Sequence, residues 1–182
     1  MAATPGLIEL RLQSLDQLFD PFDPFPIPTR DLARSAEEFV VGWARELPAG
    51  ADLSIRIYLP AGSAGLREEA LLQSAIASHF QYRARRTESD MRELFTIAQI
   101  SLAIGLAALG VCMAIRHMVL QAAGSGPIAG FFAEGLVIVG WVANWRPIEL
   151  FLYEWWPLAR RRRLFERLAG APVTLVPATS EA

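Results

Sequence analysis

Two aspartates in the proline-rich run DPFDPFPIP, Asp20 and Asp23, have the residue type and closeness that a metal ion would need. No histidine lies near them, and Asp before Pro is ordinary turn chemistry, so the turn reading is preferred. His79, His117 and the single cysteine, Cys112, show no ligand spacing and no nucleophile-base arrangement. No glycine-rich phosphate loop is present, since Gly124 and Gly126 fall in a turn. Arg116 and Glu134 are the two charges in an otherwise neutral stretch of about fifty residues. A carboxylate there is either paired, with Arg116 or His117 as partner, or part of a proton or ion relay. The pair is the preferred reading. These residues form no catalytic set, so a non-catalytic protein without metal or cofactor is expected.

The elements that would hold those residues follow from the distribution of charge. The 182 residues carry 17 basic side chains, all arginine, and 19 acidic ones, a net charge of −2. Residues 1–93 hold 10 Arg and 14 acids, residues 94–145 only Arg116 and Glu134, and residues 146–182 hold 6 Arg and 4 acids. With 53% hydrophobic residues and a mean hydropathy of +0.29, disorder is excluded. One cysteine permits no internal disulfide, and near-neutral charge argues against nucleic acid as a partner.

Leu94 to Ile115 is uncharged for 22 residues, which at 1.5 Å per residue is about 33 Å, enough for a bilayer core of about 30 Å. A second apolar run, Pro127 to Trp145, is interrupted only by Glu134. Two transmembrane spans, 94–115 and 127–145, are therefore expected. The breaker-rich connector from Ala122 to Pro127 makes them an antiparallel hairpin. Equal depth then sets Ala107 beside Ala143, Gly110 beside Gly140 and Arg116 beside Glu134. The small residues Ala103, Ala107, Gly110 and Ala114 form a stripe suited to close helix packing, within the hairpin or against a second copy. Arginines at 83, 85, 86 and 92 precede the first span and those at 160–163 and 167 follow the second, so both termini are expected in the cytoplasm. The all-arginine composition suggests a bacterial inner membrane, and the opening MAATPGLIEL has no signal-peptide pattern.

The first ninety residues read as a small α+β domain. Leu7–Leu12 and Leu53–Leu59 alternate as half-buried strands. Ser35 and Glu38 form a capping box that predicts a helix start, with Phe39, Val40, Trp43 and Leu47 as its apolar stripe and Pro48 with Gly50 as its stop. A further helix from near Leu66 runs toward the first span, and Val173–Val176 offers a third strand returning from the far end of the chain. The expected architecture is an α+β cytoplasmic domain of about three strands with an inserted two-helix transmembrane hairpin. Its parts are 1–93, 94–145 and an interfacial and returning segment at 146–182.

That last segment opens with NWRPIELFLYEWWP, followed shortly by Arg160, Arg161, Arg162 and Arg163. Trp145, Trp155 and Trp156 suit a headgroup layer, and the arginines suit anionic lipid headgroups. This motif, with Asp31, Glu37, Glu38 and the run Ala44–Pro48, resembles a family of small uncharacterised bacterial two-span membrane proteins carrying an NWRPIExFLYxWWP pattern. The resemblance implies two spans with cytoplasmic termini and transfers no activity. The expected function is a non-catalytic inner-membrane protein that anchors a small cytoplasmic domain as an adaptor or assembly subunit. Its partners would be the lipid bilayer and another membrane protein or a second copy. The alternative is a homo-oligomeric channel or pore.

Overall fold

Strict alternation along Leu53–Pro60 sends Leu53, Ile55, Ile57 and Leu59 to one face of a strand and Ser54, Arg56 and Tyr58 to the other. In the computed structural model, which describes residues 6–48, 50–60, 66–124 and 126–178, this strand is the centre of a three-stranded sheet. The strands β1 (Gly6–Arg11), β2 (Leu53–Pro60) and β3 (Val173–Ala178) stand in that order, with both neighbours parallel to β2. Ile8 registers with Ile55, and Ile57 with Leu175. The helices are α1 (Arg34–Glu46), α2 (Leu66–Ala123), α3 (Pro127–Ala143), α4 (Trp145–Glu149) and α5 (Trp155–Ala169). The α+β mix and the late third strand agree with the sequence reading. Residues 1–5, part of the signal-peptide expectation, and Ser125 of the connector lie outside the described residues.

The chain divides into two units, Met1–Thr87 with Arg160–Ala182, and Glu88–Ala159. The charge pattern had set the divisions near 93 and 145; the aromatic segment up to Ala159 goes with the second unit.

In the first unit, Ile8, Ile55, Ile57 and Leu59 form a core with Val40 and Ala44 of α1, Leu72, Ile76 and Phe80 of α2, and Phe165 and Leu168 of α5. The helix α1 departs from the sequence reading at its start and on its outer face. Its N-cap is Ala33 without a side-chain bond, not Ser35, because Ala33 N–H is already drawn onto Leu18 O and fixes the entry of the chain. Its buried residues are Ala36, Val40, Val41 and Ala44, while Phe39 and Trp43 lie exposed with their rings in edge contact at 5.5 Å. The outer edge of β3 is closed by side chains: Val173 N–H donates to Gln73 Oε1 at 2.6 Å, Leu175 N–H donates to Glu69 Oε2 at 3.1 Å, and Pro177 has no N–H. An edge sealed this way cannot template a further strand.

In the second unit small residues face inward. Gly105 and Cys112 of α2 lie seven residues apart on the packed side, at the levels of Asn144 and of Gly140 in α3, and Ala98 of α2 and Ala129 and Ala133 of α3 are likewise buried. A Cβ on Gly140 would meet Leu109 Cδ1 at 2.7 Å, and one on Gly105 would meet Asn144 Oδ1 at 2.7 Å, so the helices are antiparallel and close. The expected stripe of Ala103, Ala107, Gly110 and Ala114 is exposed instead. The reason is that Gly105 and Gly140, where an added methyl would collide, fix the seam on the other side of α2. By length and composition, two helical stretches, Arg67–Ala122 and Pro127–Ala169, are apolar enough to cross a membrane.

Two prolines shape the aromatic motif. Pro147 has no N–H to give the carbonyl of Ala143, and the helix breaks there at Asn144. Pro157 likewise leaves the carbonyl of Tyr153 without its donor, and Leu150–Glu154 widens into a π-helical turn just upstream. Arg146 clamps this turn through Glu149 Oε2 at 3.0 Å and Glu154 Oε1 at 2.6 Å.

Candidate functional site

The proline-rich loop is built on its aspartates. Asp20 Oδ1 accepts from Phe22 N–H at 2.9 Å, and Asp23 accepts from Phe25 N–H at 3.0 Å and Asp31 N–H at 2.7 Å. These bonds, first that from Asp31 and then that from Phe25, hold the Asp23 carboxyl below its ordinary range, with Arg30 adding a smaller attraction. Both carboxylates thus serve the turn, which presents Phe22 and Phe25 to solvent.

The return of that loop brings Asp31 to His79, a buried histidine that the sequence does not mark as special. His79 Nδ1 lies 3.2 Å from Asp31 Oδ1 and 3.4 Å from the Leu32 nitrogen. Its Nε2 lies 3.4 Å from Glu37 Oε2 without the alignment of a hydrogen bond. The ring thus sits between two carboxylates with the Leu32 N–H aimed at its Nδ1, and no group of histidine, cysteine or acidic side chains among the described residues could hold a metal ion. Glu37 is the junction of the cluster: its Oε1 also accepts from Arg83 Nε at 2.8 Å. The partners lie 42 to 48 positions apart in the chain, and no local spacing announces them.

Beside Glu37 opens a cleft of about 440 Å³ lined by Arg34, Glu37, Glu38, Val41, Gly42, Arg45, Arg83 and Arg161, all within the first unit. Arg34 Nε is bonded to Glu38 Oε1 at 2.9 Å. Arg83 and Arg161 both lie against the buried ring of Phe165, at 5.6 and 5.5 Å from its centre. The run of four arginines is therefore divided in role: Arg161 turns into the cleft, Arg162 bonds Glu166 Oε1 at 2.8 Å, and Arg160 and Arg163 are exposed.

The expected polar pair of the second unit is not made. Arg116 Nε is buried with no partner, Glu134 is exposed, and no ion pair joins them among the described residues. His117 instead contacts Gln121, Nε2 to Nε2, at 2.9 Å. Arg116 continues the seam side of α2 while Glu134 sits on the outer face of α3, so a shared level does not bring them together. The polar link that is made is Asn144, whose Nδ2 donates to Gly105 O at 3.1 Å and Gly140 O at 2.9 Å. An asparagine at the end of an apolar run reads as a boundary in sequence; here it is buried. Trp145 and Trp156 are exposed and Trp155 half-buried, in ring contacts with Trp141 and with each other.

Comparison of the chain with protein-family models, with curated protein sequences and with solved structures returned no match.

Proposed function

We propose that the protein is a non-catalytic, membrane-anchored adaptor or assembly subunit of a bacterial inner membrane, with its helical hairpin spanning the bilayer and both termini in the cytoplasm. One observation carries the reading: the second unit turns large apolar side chains outward, Phe131 at 75% and Ile104 at 65% exposure, around an interior of small residues. In water such a surface is a strong association hazard, and in hydrocarbon it is an ordinary solvent contact. On this reading Trp145, Trp155 and Trp156 lie at the headgroup layer, and of the arginine run Arg160 and Arg163 face anionic lipid, Arg161 being turned into the cleft and Arg162 bonded to Glu166. Membership of the two-span family with the NWRPIExFLYxWWP pattern is part of the same proposal.

Reporter fusions after Arg92 and at the C-terminus should both signal cytoplasm, and one inserted at Gly124 should signal the opposite side. A cytoplasmic signal at Gly124 ends the two-span reading. The outward stripe of Ala103, Ala107, Gly110 and Ala114 favours a second possibility, association of several copies into a channel with exposed Glu134. The mass of the assembly in lipid nanodiscs separates the two, because a monomer cannot form that pore.

A further inference from the structure

We propose that the cleft between α1, α2 and α5 of the first unit is a binding site for a phosphomonoester. Its charges are unevenly matched. Glu38 is bonded to Arg34, and Glu37 is bonded to Arg83 and faces His79, so both acids that line the cleft are committed. Arg45 and Arg161 line the same space and make no ion pair among the described residues. Two uncommitted guanidiniums match a dianion, and their planar forks suit the tetrahedral oxygens of phosphate. Arg83 keeps N–H donors beyond those used on Glu37, and the Phe165 ring holds it and Arg161 at one place.

A second, independent observation concerns the space itself. Gly42 stands in the middle of α1, where glycine weakens a helix relative to alanine. No packing demands it: a Cβ there would have no neighbouring atom within 4 Å, and the residue borders the cleft. The missing side chain leaves room open. A volume of about 440 Å³ falls within the usual range for small-molecule sites and exceeds what a bare phosphate needs, so the ligand carries an organic part that rests against Val41. That phosphate could belong to a soluble ester or to a lipid headgroup. The inference stands on the first unit alone and does not depend on the membrane reading.

The test uses the full-length protein in detergent, titrated calorimetrically with inorganic phosphate and with water-soluble short-chain phosphatidic acid and phosphatidylcholine. Saturable phosphate binding should weaken about tenfold in Arg45→Gln, in Arg161→Gln and in Gly42→Leu, the last of which fills the cleft with its charges intact. Arg11→Gln, on an exposed arginine away from the cleft, should bind as the parent does. Binding of the short-chain phosphatidic acid, but not of the phosphatidylcholine, that is tighter than that of phosphate and is lost in Gly42→Leu assigns the site to a lipid headgroup. Phosphate binding with no preference for phosphatidic acid assigns it to a soluble ester. The proposal is overturned if neither probe saturates by about 10 mM phosphate, if Gly42→Leu binds like the parent, or if Arg11→Gln weakens binding as much as Arg45→Gln does.

Discussion

The two units of this chain solve packing in opposite ways. The first hides Ile8, Ile55, Ile57 and Leu59 and ties its exterior with pairs such as Arg34–Glu38 and Arg56–Glu9. The second hides alanine and glycine and turns isoleucine, valine and phenylalanine out. The first arrangement is what the hydrophobic effect produces in water, where stability scales with the apolar area removed from it. The second has little large apolar surface to remove, and relies on close backbone approach at Gly105 and Gly140 and on the amide of Asn144. Inversion of the usual pattern within one chain teaches that burial has to be judged against a solvent, and the proposed solvent of the second unit is lipid.

The largest expected effect breaks the first unit alone. Ile57, fully buried at the centre of the sheet, should cost about 2 to 5 kcal/mol when cut to alanine. The matching truncation, Ile104→Ala, should stay within about 0.5 kcal/mol, because Ile104 has few protein neighbours to lose. Denaturant unfolding of both variants in nanodiscs checks the contrast, and equal losses would dissolve it. Next in size is a charge at the same exposed position. In hydrocarbon Ile104→Asp should cost about 3 kcal/mol, whereas on a surface wetted by water it should cost almost nothing. A neutral result in nanodiscs removes the bilayer from the second unit.

How much of this could be read beforehand depended on the range over which each pattern acts. Alternation in Leu53–Leu59 and the long uncharged run at Leu94–Ile115 are local, and both elements stand where expected. The face of a helix is less secure: Phe39 and Trp43 looked like core, but the sheet accepts the neighbouring face of Ala36, Val40 and Ala44, whose small side chains let α1 lie close. The same slip in α2 put Gly110 rather than Gly105 on the seam. The cleft was beyond reach, because Arg45, Arg83 and Arg161 come from three helices that only the finished sheet assembles. The returning Val173–Ala178 strand was visible as apolar residues, but not the side-chain seal on its edge, since Glu69 and Gln73 lie a hundred or more positions away.

A smaller effect sharpens the account of the second unit. Gly105→Ala places a methyl 2.7 Å from Asn144 Oδ1 and 3.1 Å from the Ala143 carbonyl, neither of which can retreat without giving up the buried amide. Overpacking of this sort should cost about 1 to 3 kcal/mol. Gly140→Ala has its shortest contact, 2.7 Å, with the end of the Leu109 side chain, which can rotate, and meets the Leu109 Cα only at 3.3 Å, so it should cost less. Asn144→Ala should lose about 1 kcal/mol through its two carbonyl bonds, and combined with Gly105→Ala it should relieve part of the clash, a non-additivity that a double-mutant cycle reads. If Gly140→Ala proves the worse of the two glycine variants, the seam is not held at Asn144.

The smallest effect returns to the first unit and tests whether its loop, like its core, is a device for water. Asp23 is ionised in the folded loop, and its carboxyl is held low by the N–H groups of Asp31 and Phe25. A folded value below the unfolded one, about 3.9 for a free aspartate, means that the unfolded chain binds the proton first as acid is added. The stabilisation is therefore complete above the unfolded value and is lost as the pH falls through the folded value. Asp23→Asn keeps one acceptor oxygen but loses the charge and the second acceptor, so it should be less stable than the parent at neutral pH, and the gap should narrow as the pH falls below about 3.9. Asp20→Asn, which keeps an acceptor oxygen for the Phe22 N–H, serves as the control variant in the same loop. Thermal unfolding of the three proteins across that pH range reads the difference. If the parent and Asp23→Asn run parallel through the acid limb, the charge of Asp23 is not what fixes the turn, and the loop is held by its prolines and by the bonds that join Asp20 N–H to Asp31 O and Ala33 N–H to Leu18 O.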